Sequence, residues 1–345
     1  MKRYVLILCL LIPFFVEAQI GGTSTYQFLS LTNSARVSSL GGYTTSIKDG
    51  DLNLVYCNPA LLDESMDNNI VLNYVNYFAG VNYGYASYAK NAGNLGNFAA
   101  GVHYINYGEF VEADETGQIL GSFNAADYSI NLYWSKSFDS LWSVGAAFKT
   151  ILSEYERYTS YGNAIDFGIT YNNPELFTAS VTMRNLGYQF TGYSEGTHEP
   201  LPLDIQFGIS KKLKHAPLRI IAEVHNLQKP VLSYTNPETD NLTTDPITGE
   251  EVKEKSFPNI MDNVGRHMIV GAEITPFDNF YLRLGYNYQR RAEMLISTRK
   301  YLVGFSMGVG FRIYKFHLSY GRAQYHLAGA TNHFSISANL SEFYK

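Results

Sequence analysis

The sequence predicts an all-β fold, a 14-stranded antiparallel transmembrane β-barrel with an N-terminal plug, or hatch. Three observations predict it. From residue 69 onward apolar and small or polar residues alternate with period two in fourteen runs, most of ten residues or more. Globular strands average about five or six residues, whereas a tilted membrane strand needs about 9–11. The gaps between runs sort alternately into a short set and a long set. After residue 18, no apolar run approaches the ~20 residues of a membrane helix. Such a chain can span a bilayer only as a closed barrel, because in hydrocarbon every backbone N–H and C=O needs an internal partner.

Composition narrows the classes. Charged residues make up 17%, below the ~25% of typical soluble domains, while 28 Tyr, 21 Phe and 2 Trp supply unusual aromatic weight. A net charge of −5 and a pI near 5.9 leave no basic excess for nucleic acid. The two cysteines, Cys9 and Cys57, cannot form a cysteine metal cluster, and no cofactor is expected.

Residues 1–18 read as a secretory signal peptide: Lys2 and Arg3, an apolar stretch from Tyr4 to Val16, and a small residue, Ala18, before Gln19. Cys9 lies inside that stretch and is an apolar leader residue.

Residues 19–68 are expected to form the plug. They lack long alternation and carry turn signals at Gly21–Gly22, Gly41–Gly42, Asp49–Gly50 and Asn58–Pro59. SARVSSL (34–40) predicts a short helix with Asn33 or Ser34 as N-cap and Gly41 as its stop. NPALLDESM (58–66) predicts another, with Asn58 as N-cap and Pro59 at the first helical position. The plug motif is therefore Ser34, Ala35, Arg36, Leu40, Gly41, Gly42, Asn58, Pro59 and Ala60. Arg36 and Asp51 are candidates to pair with charges in the lumen. A periplasmic N-terminal arm is the alternative. Cys57, with no basic residue within eight positions, is expected to be a small buried residue rather than a reactive thiol.

The barrel, residues 69–345, holds runs at 69–78, 81–90, 97–108, 124–136, 141–154, 161–172, 177–186, 203–212, 217–226, 266–275, 280–289, 300–312, 315–321 and 332–344. In 300–312, Val303, Phe305, Met307, Val309 and Phe311 alternate with Gly304, Ser306, Gly308, Gly310 and Arg312. One set of gaps holds two to six residues (NAGNLG, SFDS, NPEL, LKHA, PFDN and Ile313–Tyr314); the other holds 2, 15, 6, 16, 39, 10 and 10. Short turns on the periplasmic side and long loops outside are the layout of bacterial outer-membrane barrels. Aromatics at run ends, among them Tyr77, Phe78, Tyr107, Trp134, Trp142, Tyr171, Phe177, Tyr286, Tyr288 and Tyr301, are candidates for interfacial girdles.

Parity sets Lys149, Asp166, Arg184, Asp204, Arg219, Glu223, Glu273, Arg283 and Arg312 on the inner face. The mixture of signs suits a structural network that holds a plug; a polar conduit is the other reading, and the mixture does not favour an ion-selective pore, which a single-sign ring would. Fourteen strands enclose more space than their side chains fill, so the lumen needs an occupant. Gly308 and Gly310 read as small lumen residues that make room for it rather than as a dinucleotide loop, since no helix follows.

Residues 227–265 form the one long insertion. Glu238, Asp240, Asp245, Glu250, Glu251 and Glu254 make it acidic, so it is a candidate docking loop for an extracellular partner; a solvated loop is the bland alternative. Calcium is disfavoured because no D-x-D-x-D-G ladder occurs. No H-E-x-x-H or G-x-S-x-G motif occurs. His317 and Ser319 share a strand face, but in a chain this rich in serine they read as two polar lumen residues. A non-enzymatic protein is expected.

Three segments, 24–42 (STYQFLSLTNSARVSSLGG), 51–62 (DLNLVYCNPALL) and 72–89 (LNYVNYFAGVNYGYASYA), carry a resemblance. They are similar to the opening of the PorV/PorQ family, outer-membrane proteins of the type IX secretion system of Bacteroidota. The resemblance covers the mature length, and its specific part is the first ninety residues or so. It implies a fatty-acid-transporter-like 14-stranded barrel with a hatch. It further implies a scaffold of the cell-surface attachment complex, with a PorZ-like surface protein, other type IX components and lipopolysaccharide as partners. A channel for hydrophobic small molecules is the alternative function, for which Phe28, Leu29, Leu31 and Leu40 are candidate pocket residues.

Overall fold

The computed structural model describes residues 24–343 except 79, 195, 233–256, 278, 295–301 and 327–328. Fourteen antiparallel strands close into one barrel, each paired with its sequence neighbours, and β1 (Asn69–Asn76) pairs with β14 (Gly329–Asn339) to seal it. The remaining strands are β2 (Asn82–Asn91), β3 (Asn97–Ala113), β4 (Ile119–Ser137), β5 (Trp142–Tyr155), β6 (Tyr158–Asn173), β7 (Phe177–Thr191), β8 (Asp204–Lys212), β9 (Leu218–Val224), β10 (Met268–Phe277), β11 (Phe280–Asn287), β12 (Phe305–Ile313) and β13 (Phe316–His326).

The alternation becomes a two-faced wall. On β4, Ile130 and Leu132 are exposed outward while Ser129, Asn131 and Tyr133 are buried inward. On β12, Phe305, Met307 and Phe311 face out and Ser306 faces in. Apolar surface turned outward around a closed barrel is the lipid-facing belt of an outer-membrane protein. Ring pairs run along it, with Trp142 5.1 Å from Tyr171 at the short-turn end and Tyr286 4.8 Å from Phe305 at the other.

Several boundaries differ from the pattern-based ones. The 15-residue gap after 108 is a continuation of β3 and β4, closed by a tight turn in which Asp114 N donates to Gln118 O. Bulges between Asn106 and Gly108 and between Glu112 and Ala113 shift the register there, which breaks the period-two signal without ending the strands. Tyr107 continues the inward row of His103 and Ile105, and its hydroxyl donates to Asp127 at 2.6 Å; it is not a girdle residue. Likewise β5 and β6 extend to a two-residue turn at Glu156 and Arg157. β12 starts at Phe305, not 300, and Tyr288 opens a helix instead of ending a strand.

Two helices stand over the long-loop end: α2 (Phe257–Arg266), at the end of the long insertion, and α3 (Tyr288–Met294). A third, α1 (Ala35–Ser39), belongs to the segment before the barrel. The leader, Tyr301 and the acidic residues Glu238, Asp240, Asp245, Glu250, Glu251 and Glu254 lie outside the described residues.

Candidate functional site: the hatch and the lumen wall

The segment before β1 fills the lumen. Phe28, Leu29, Val37, Leu40, Leu52, Leu54, Leu61 and Leu62 are all buried against the inner wall, so a free periplasmic arm is not what forms. Its local structure follows from short-range capping. Ser34 caps α1 by accepting from Val37 N at 3.2 Å, and Gly41 and Gly42 end it at φ +104° and +101°, a region that glycine enters without steric cost. Asn58 accepts from Ala60 N at 2.9 Å. The predicted helix 58–66 is instead two 3-10 turns, Pro59–Leu61 and Glu64–Met66; Asp63, between them, makes a fresh cap through Ser65 N at 3.0 Å.

The segment is bonded to the wall at several points. Asn58 Nδ2 donates to Thr170 Oγ1 at 3.0 Å, Ser143 Oγ donates to Ala60 O at 2.8 Å, and Ala35 N donates to Ser335 Oγ at 2.9 Å. The wall is thinned by glycine where these turns touch it. A Cβ built on Gly145 would lie 2.4 Å from Pro59 C, one on Gly168 2.1 Å from Asn58 Oδ1, and one on Gly308 1.9 Å from Ser39 Oγ. Gly308 is therefore a space-making lumen residue, as the sequence suggests; Gly310 faces Arg283. Thr25 N donates to Pro200 O at 2.9 Å, so the segment reaches the long-loop rim.

The lumen charges fall into separate groups. Arg36 is the hub of the first. Its guanidinium contacts Asp49 at 2.7 Å, Asp51 at 3.0 Å and Glu273 at 2.9 Å, while Glu273 also holds Arg219 at 2.8 Å and Arg283 at 2.8 Å. Burial disfavours the Arg36 charge, but the surrounding carboxylates outweigh that and hold its pKa above the ordinary range. Asp49 likewise resists burial, because Arg36 and Arg219 hold its carboxyl well below the usual carboxylate range. A second group is the fully buried pair Lys149 and Asp166, 2.6 Å apart. Lys149 and Arg184 each sit 5.2 Å from the centre of the Tyr56 ring of the hatch, a cation–π arrangement. Glu223 needs no cation: Thr45 N at 2.8 Å, Thr45 Oγ1 at 2.6 Å and Ser46 Oγ at 3.0 Å donate to it. Asp204 accepts from Asn226 N at 2.7 Å.

Two expectations are corrected. Asp51 pairs within the hatch with Arg36 and not with the wall. Arg312 faces inward but at the short-turn mouth rather than in the buried network: its side chain is 46% exposed and 4.0 Å from Glu342, because it lies one residue from the end of β12. That mouth opens into a polar cavity of about 410 Å³ lined by Arg36, Asp51, Arg283, Arg312, Lys315 and His317. Ser319 accepts from Arg283 at 3.2 Å. The wall-pairing residue that sequence reasoning misses is Asp49, read only as part of a turn signal. Cys57 is buried, and burial pushes its thiol pKa up. Phe28 and Leu29 pack with Tyr83, Ile105 and Ile151 in one buried cluster with Leu31 against it, and Leu40 packs with Val37 and Leu61 in another.

No protein-family model matches the chain, and no curated protein matches its sequence. Solved structures do share its fold. The toluene transporter TbuX of Ralstonia pickettii aligns over 90% of this chain and 99% of its own at a TM-score of 0.52 and 10% identity. The toluene transporter TodX of Pseudomonas putida aligns over 89% and 96% at a TM-score of 0.50 and 12% identity. Together with the lipid-facing belt, this makes the chain a 14-stranded barrel of the bacterial outer membrane.

Proposed function

We propose that the protein is a non-enzymatic scaffold of the type IX secretion system, holding the attachment complex at the cell surface. One observation carries this reading: the hatch is pinned across the lumen by the Arg36 hub, by Lys149 and Arg184 on Tyr56, and by Glu223. A scaffold has no need to conduct, and a locked hatch serves it. The resemblance of residues 24–89 to the PorV/PorQ family supports the same reading. A PorZ-like surface protein would dock on the acidic stretch Glu238–Glu254, with other type IX components and lipopolysaccharide around it.

A second reading has its own support. The barrels whose fold this chain shares are toluene transporters, and that likeness favours a conduit for hydrophobic small molecules over the scaffold. Gene deletion in the source bacterium separates the two. Complementation with a chain lacking 233–256 should restore the barrel, since loop tips tolerate such change, yet release the surface protein and secreted cargo into the medium. Normal surface display with lost uptake of a hydrophobic nutrient in the deletion strain would decide for the conduit.

A further inference from the structure

We infer that α2 is an interfacial anchor, lying at the outer-leaflet boundary with Ile260, Met261 and Val264 in lipid. This rests on the barrel alone and stands whichever function holds. The two sides of the helix differ. Asp262 accepts from Tyr288 Oη of α3 at 2.8 Å and from Arg266 Nε at 2.7 Å. A Cβ on Gly265 would lie 2.9 Å from the Tyr288 ring, and Asn263 bonds Leu232 N and Pro230 O of the incoming chain. These contacts fix the protein-facing side. Ile260, Met261 and Val264 keep 62%, 62% and 50% of their surface exposed on the other.

The occupant of that apolar side follows from continuity with the lipid belt. Ile260, Val264 and Met268 are spaced by four residues, and Met268 begins the outward row of β10 with Val270 next below it, each 43% exposed. One apolar stripe therefore passes from the helix onto the barrel wall. Strand height gives an independent reason. β9 has seven residues and β11 eight, which at a ~3.3 Å rise and a tilt near 40° cover roughly 18–20 Å. The apolar band of such barrels is about 25 Å tall. On this flank the wall falls short, and the helix face makes up the missing height. By contrast, β3 and β4 have 17 and 19 residues and rise past the band unaided. Amphipathic helices settle with their apolar face about 5–10 Å into the headgroup and acyl boundary.

Spin labelling tests the inference. With both native cysteines replaced by alanine, single cysteines at 260, 261 and 264 are labelled on the folded protein in phosphatidylcholine–phosphatidylglycerol vesicles. Collision with oxygen, which concentrates in lipid, is compared with collision with a water-soluble nickel chelate. Phe305→Cys serves as the lipid reference and Thr116→Cys, at the β3–β4 turn, as the aqueous one. The three helix labels should share the oxygen preference of 305, at least several-fold above 116. Chelate access equal to that of 116 at all three positions, with 305 still lipid-like, would overturn the anchor.

Discussion

Arg36 of the hatch and Glu273 of β10, 237 residues apart in sequence, meet through two contacts, Nε to Oε2 at 3.0 Å and Nη2 to Oε1 at 2.9 Å. The same carboxylate holds Arg219 and Arg283. One acid thus compensates three guanidiniums, with Asp49 and Asp51 completing the balance on the hatch side.

Removing that acid should be costly. Glu273→Gln leaves Arg36, Arg219 and Arg283 crowded with only Asp49 and Asp51 as counter-charges. Breaking a buried pair from one side typically costs about 3–5 kcal/mol. Urea titration of the protein in detergent, followed by its heat-modifiable gel shift, should show a loss of that order. An unchanged midpoint would mean that the network is solvated and idle.

The cluster also sets an acid limit. The Asp49 carboxyl titrates below its unfolded value near 4, so its contribution is present above that value and is lost as pH falls through and below it. Arg36 stays charged throughout. The hatch should therefore be held at pH 7 and weaken progressively as pH falls below about 4, seen as ion current in planar bilayers that is absent at neutral pH and grows with acidity. Asp49→Asn should show the same current already at pH 7.

The lipid belt makes a graded prediction. Leu284, 56% exposed at the middle of β11, pairs with the outward-facing Met307 of β12. Leu284→Arg should cost about 2–4 kcal/mol, whereas Phe305→Arg, at the aromatic rim beside Tyr286, should cost only about 0–1 kcal/mol. Refolding titrations into bilayers would measure both, and the reverse order would mean that the belt is misplaced along the strands.

The barrel is legible in the sequence because period-two alternation and the sorting of gaps are local signals that closure does not disturb. They fail where a bulge slips the register, as at Asn106–Gly108, and the reader then sees a loop where a hairpin continues. The hatch is legible by its capping residues: Ser34, Asn58 and the Gly41–Gly42 pair are chosen by neighbours a few positions away. Its partners are not, because Asp49 meets Arg219 across 170 residues and nothing local distinguishes that aspartate from one in an ordinary turn. Arg312 shows the opposite error, since parity gives a side but not a depth.

Hatch and wall are closely matched at Gly145 and Gly168, where β5 and β6 pass beneath the Asn58–Pro59–Ala60 turn. Gly145 pairs with Gly168 across the two strands, so both missing side chains open one recess, and the turn sits in it with Asn58 bonded to Thr170 at 3.0 Å. A valine at either position would place Cβ within 2.4 Å of backbone atoms of the turn or 2.1 Å of Asn58 Oδ1, contacts that only displacement of the hatch relieves. The strands themselves lose nothing, because β-branched residues suit a pleated wall. Gly168→Val should therefore leave the heat-modifiable barrel intact while freeing the turn. Cys57, next to Asn58 and buried in the native hatch, reports the event. Its thiol should react with a small maleimide at pH 7 many-fold faster in Gly168→Val than in the parent, and ion current should rise with it. Equal thiol reactivity in a folded Gly168→Val barrel would mean that the turn is not seated in this recess.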